Sequence, residues 1–137
     1  MAGQSVEVVQ RVYDAISRGH FEGPEAAELT SELFDPDVEL RQLADIAGTS
    51  GTFHGYGGLL KAKRELDEPL AGIEWTLETY EELETTVVAT ATCRGTGRES
   101  GVPFEITVGH LWELRDGRVV RWVVYRTPEE AREAAGL

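Results

Sequence analysis

The chain of 137 residues carries 25 acidic against 13 basic side chains, a formal net charge of −12, with 41% hydrophobic residues. That is one ordinary domain with enough apolar material for a core, which disfavours a disordered chain. Its acidity argues against nonspecific nucleic-acid or anionic-membrane binding, and no apolar run approaches the ~20 residues needed to span a bilayer.

Met1-Ala2-Gly3-Gln4-Ser5 lacks the basic and apolar regions of a signal peptide. Cys93, the single cysteine, can form no internal disulfide and no thiolate zinc site. No composition shift or linker divides the sequence, so a single domain over 1–137 is expected, with a cytoplasmic location.

Residues 5–18 read as a helix: Val8, Val9, Val12, Ala15 and Ile16 recur at helical spacing, and Gly19 stands where a C-terminal cap belongs. Gly23-Pro24-Glu25 starts a second helix, whose apolar stripe runs from Ala26 to Phe34 and which Asp35-Pro36-Asp37 stops. A short strand is expected over 38–42, a loop over 43–53 and a third helix over 56–66. Then comes a meander of antiparallel strands over 73–80, 85–94, 102–114 and 119–126. Asp116-Gly117 is a hairpin turn signal before the last strand. Thr127-Pro128-Glu129-Glu130 has the chemistry of a capped helix start, so a terminal helix follows over 129–135. Helices packed on one face of a curved antiparallel sheet give an α+β cone with a central pocket.

Several segments carry a family resemblance. They are Val9-Gln10-Arg11-Val12-Tyr13, Leu33-Phe34-Asp35-Pro36-Asp37-Val38, Phe53-His54-Gly55, the run from His110 through Asp116-Gly117 to Val120, and Tyr125-Arg126-Thr127-Pro128-Glu129-Glu130. With the element order, they resemble the SnoaL-like branch of the nuclear transport factor 2-like superfamily over nearly the whole chain. The resemblance implies the cone fold and leaves the reaction open. The superfamily contains ketosteroid isomerases, polyketide cyclases, epoxide hydrolases, dehydratases and noncatalytic modules. By this resemblance the isomerases' oxyanion-hole tyrosine falls on Val12, one residue before Tyr13. Their base aspartate falls on Gln42 and their second acid on Gly109, which argues against ketosteroid isomerisation. The cyclases' aspartate falls near Val124, and no acid lies between Asp116 and Glu129.

His110 is the leading catalytic candidate, since it lies on the apolar strand face between Val108 and Trp112. An imidazole there can transfer protons near neutral pH, and the competing reading is a hydrogen-bonded core histidine. Asp45, in the expected loop, is the second catalytic candidate, able to reach His110 or Arg41; a solvated loop acid is the alternative. Tyr13, Trp75, Trp112 and Tyr125 are candidate ligand-binding groups that stack on flat molecules, or else ordinary core. Gln42 could bind a ligand carbonyl, and His54 could edge the pocket or cap the third helix. On the last strand, Tyr125 is expected inward and Trp122 outward.

Three dispersed histidines give no metal motif, and no phosphate loop or dinucleotide fingerprint is present. The expected partner is therefore a hydrophobic small molecule, polyketide- or terpenoid-like. It would be bound noncatalytically or turned over by cofactor-free acid/base chemistry. An outer sheet face carrying Leu111 and Trp122 leads to the expectation of a homodimer.

Overall fold

The computed structural model describes residues 4–137. The elements follow as α1 (Gln4–Ser17), α2 (Ala26–Leu33), β1 (Phe34–Ile46), β2 (Thr49–His54), α3 (Gly55–Asp67), β3 (Leu70–Leu83), β4 (Thr86–Gly97), β5 (Pro103–Arg115), β6 (Arg118–Tyr125) and α4 (Pro128–Ala134). The strands make one open sheet in the order β2-β1-β6-β5-β4-β3. Helices α1, α2 and α3 pack on its inner face, so the expected α+β architecture is present. No helix among the described residues is long and apolar enough to cross a membrane.

Two features differ from the expectation. The sheet is mixed, because β1 runs parallel to β6 while every other neighbouring pair is antiparallel. The segment expected as a loop over 43–53 holds the end of β1 and all of β2. Only Phe53 of β2 is buried, so an exposed edge strand shows no alternation that the sequence could reveal. β1 also starts at Phe34, through Asp35-Pro36-Asp37. Its pairing with β6 shifts between Phe34 and Glu39, and an irregularity of that kind tolerates the missing proline N–H.

Local signals were realised elsewhere. Asp116 and Gly117 both have positive φ, 53° and 76°, as a two-residue hairpin turn requires. Thr127 caps α4 by accepting a hydrogen bond from the Glu130 N–H at 3.1 Å, with Pro128 in the first turn.

Alternation along β5 sorts the two sheet faces. Val108, His110, Trp112 and Leu114 point into the main core against Val9, Val12 and Tyr13 of α1. Gly109 and Leu111 point outward, where α4 packs. A Cβ on Gly109 would lie 2.5 Å from the Thr127 carbonyl oxygen and 2.7 Å from the Ala131 Cβ. The missing side chain is therefore what lets α4 lie directly on the strand.

The last strand reverses the expected orientation. Trp122 pairs with Trp112 and stacks on it at 4.2 Å, inside the core. Tyr125 pairs with Gly109 and so lies on the outer face. An extra β6 residue causes this: the three residues from Trp112 to Leu114 face the four from Val119 to Trp122, and the bulge puts Val119 and Trp122 on one side. Leu111 and Val123 are buried on the side that α4 covers. The apolar groups that motivated pairing of two copies are thus taken up within one chain.

Candidate functional site

Between α1, α2, α3 and the inner sheet face lies a cavity of about 790 Å³. Its walls are mostly apolar, with Phe34, Leu40, Leu66 and Val124 among them, and the indoles of Trp75 and Trp122 contribute to its lining. A volume of this order suits a small organic ligand.

Ten of the lining residues are polar or charged, and most of them are committed to partners within the protein. Ser17 donates to the Trp75 carbonyl at 3.1 Å and accepts from the Trp75 N–H at 3.2 Å, tying α1 to β3. The Tyr56 hydroxyl donates to the Phe34 carbonyl at 2.8 Å. Gln42 lines the cavity from β1 and is held by Thr49. On α3, Lys63 lies 2.6 Å from both the Glu22 and the Asp67 carboxylate. Its partial burial works against the charge, but these two hydrogen bonds outweigh it and hold the ammonium above its ordinary pKa. The same contact holds the Glu22 carboxyl below its ordinary value. The Arg98 guanidinium also borders the cavity, its Nε donating to the Asp67 carbonyl.

Behind the two indoles is a buried polar cluster. Tyr13 Oη lies 2.6 Å from His110 Nδ1 and accepts from Trp112 Nε1 at 3.1 Å. The Tyr13 O–H has one acceptor among these groups, which is His110 Nδ1. Donation there fixes the His110 tautomer, with its proton on Nε2. Nε2 has no partner among the described residues, and neither does the Trp122 Nε1. The imidazole ring lies 4.8 Å from the Trp75 ring and 5.3 Å from the Trp122 ring, centroid to centroid. Burial pushes the His110 pKa down to about 3 and drives the Tyr13 phenol above its ordinary value, the latter opposed in part by the Trp112 hydrogen bond. Both rings are therefore neutral at physiological pH.

The sequence candidates separate clearly. Trp75 and Gln42 line the cavity. His110, Tyr13 and Trp112 come together, but they form the layer behind its wall. Asp45, near the end of β1, accepts from the Gly48 N–H at 2.7 Å and is exposed, whereas His110 is fully buried. His54 is exposed at the start of α3, makes no side-chain cap, and its Nδ1 is 4.0 Å from the Glu39 carboxylate. Tyr125 is on the outer face. Sequence reasoning missed Trp122 and Ser17 as lining residues. The alternation counted back from Trp112 through the hairpin could find Trp122 only with the bulge known.

Among the described residues, no cluster of three or more histidine, cysteine or acidic side chains is arranged to hold a metal ion. The family model of the SnoaL-like domain matches residues 9–122. The chain belongs to the SnoaL-like domain family. Solved structures resemble this SnoaL-like domain over nearly their whole length at low identity, which bears on the fold. A nuclear transport factor 2-like protein of unknown function from Burkholderia pseudomallei is 20% identical, with 96% of each chain covered and a TM-score of 0.76. TerC, co-crystallised with polyporic acid, is 21% identical, covering 98% of this chain and 100% of its own, also at 0.76. A candidate SnoaL-like polyketide cyclase from Jannaschia sp. is 19% identical, covering 89% and 84%, at 0.71. No curated protein matches the chain in sequence.

Proposed function

We propose that this SnoaL-like domain binds a largely apolar, planar small molecule of polyketide- or terpenoid-like character in the cavity. The observation that carries the reading is the cavity itself, about 790 Å³ with two indoles in its apolar lining. Burying apolar ligand area against such walls supplies roughly 25 cal/mol per Å², and flat rings gain further by stacking on indoles. TerC, a protein of similar fold, has been co-crystallised with polyporic acid, which is in keeping with a small-molecule role.

Two of the three acids that line the cavity, Glu22 and Asp67, are engaged by Lys63, and the neutral His110 is withdrawn behind the wall, which supports binding; Glu74 is the third acid of the lining. An acid/base enzyme of isomerase, cyclase, dehydratase or epoxide-hydrolase type needs a proton-transferring group against the ligand, and His110 reaches the cavity only if Trp75 or Trp122 moves.

Native mass spectrometry of freshly purified protein, followed by calorimetric titration of the stripped protein with planar polycyclic ligands, tests the reading. A copurified mass, or micromolar binding that Ala62→Phe weakens by filling the cavity, supports it. No binding of any such ligand overturns it. Conversion of a bound ligand that His110→Gln abolishes would favour the enzymatic alternative.

A further inference from the structure

The ligand-binding reading is the basis for a more specific one, which concerns the group that the ligand presents to Gln42. This residue lies on β1 opposite Gly51 of β2 and Val124 of β6. Its Nε2 donates to the Thr49 carbonyl oxygen at 2.7 Å and to Thr49 Oγ1 at 3.0 Å. Thr49 Oγ1 itself donates to the Ile46 carbonyl at 2.7 Å. A backbone carbonyl can only accept, and the single hydroxyl proton of Thr49 is already spent on Ile46. Both contacts therefore require the NH₂ end of the amide; a flipped amide would set oxygen against oxygen. The NH₂ end of the amide is anchored on Thr49 in this way. The Gln42 Oε1 has no partner among the described residues, in a side chain that lines the cavity.

We propose that Gln42 Oε1 is a fixed hydrogen-bond acceptor for the ligand, and that the ligand presents a hydroxyl or phenol to it. This reverses the sequence expectation that Gln42 takes a ligand carbonyl. A carbonyl or ether oxygen placed there meets another oxygen with no proton between them, and both lose their hydration. Other hydroxyls lining the cavity add no ready donor: those of Tyr56, Ser17 and Thr30 donate to the backbone carbonyls of Phe34, Trp75 and Ala26. Thr49 is the positioning residue, since it sets which end of the amide is presented.

The test compares matched probes differing in one proton: 2-naphthol with 2-methoxynaphthalene, and 1-hydroxypyrene with 1-methoxypyrene. Dissociation constants are measured by calorimetry on the wild-type protein, Gln42→Leu and Thr49→Val. The wild type should prefer the phenol of a pair by about five- to tenfold, the range of one net hydrogen bond. In Gln42→Leu that preference should vanish, with the ether bound at least as well as before. In Thr49→Val, one of the two anchors is gone and the preference should shrink, mainly because the ether binds better. That change in ratio is one that a general loss of packing would not produce. Equal binding of both members by the wild type, or a preference that survives Gln42→Leu, overturns the proposal and leaves the ligand-binding reading intact. Failure of all four probes to bind the wild type overturns both.

Discussion

Burial of His110 has a consequence for stability that can be worked out in advance. Its pKa falls from the ordinary 6.5 to about 3 on folding, because the charged imidazole is excluded from the aromatic layer. Between those values the unfolded chain binds a proton that the native state refuses, so stability must decline as pH falls. At pH 8 neither state is protonated there and the full contribution is present. At pH 5 the unfolded histidine is almost wholly protonated and the native one is not, which costs about 2 kcal/mol. That is a large part of a stability of roughly 5–15 kcal/mol. The loss continues down to about pH 3 and then levels off. His110→Gln, which keeps a polar group beside Tyr13 but cannot titrate, should lack this component. Urea unfolding followed by tryptophan fluorescence at pH 8 and pH 5 gives the comparison. The wild type should lose about 2 kcal/mol more than the variant over that interval, His20 and His54 being common to both. Equal losses in the two proteins would refute the burial argument.

Two further substitutions test the packing. Tyr13→Phe leaves His110 Nδ1 and Trp112 Nε1 without their shared partner. It should cost about 1–3 kcal/mol in chemical unfolding, with the ligand cavity retained. Gly109→Ala drives a methyl group into the Thr127 carbonyl and Ala131. A loss of about 1–3 kcal/mol is expected by the same assay, with increased hydrogen exchange confined at first to α4; an unchanged midpoint would mean that α4 does not rest on β5.

Much of the fold was legible because its signals are local. The helical stripe of Val9, Val12 and Ile16, the Asp116-Gly117 turn and the Thr127-Pro128 cap each depend on a few adjacent residues. The parallel pairing of β1 with β6 depends on a long-range contact that no local pattern encodes. β2 was invisible because an exposed edge strand with one buried residue has no period to detect. The site was only partly legible for a related reason. Alternation correctly put His110 on the inner face, but face does not give depth: that position lies behind the indoles of Trp75 and Trp122. The β6 bulge then exchanged the expected orientations of Trp122 and Tyr125. For Gln42, the sequence suggested a polar contact but not its direction, which Thr49 sets from seven residues away.

The central claim, a ligand in the cavity lined by two of the three indoles, can be read from the tryptophans themselves. In a ¹⁵N-labelled sample, the three indole N–H resonances are followed as a planar polycyclic phenol is titrated. Trp75 and Trp122 border the cavity, whereas Trp112 is tied to Tyr13 behind them. Assigned by single Trp→Phe variants, the Trp75 and Trp122 signals should shift most and saturate together, with Trp112 moving least. No saturable shift, or a response led by Trp112, would contradict the account.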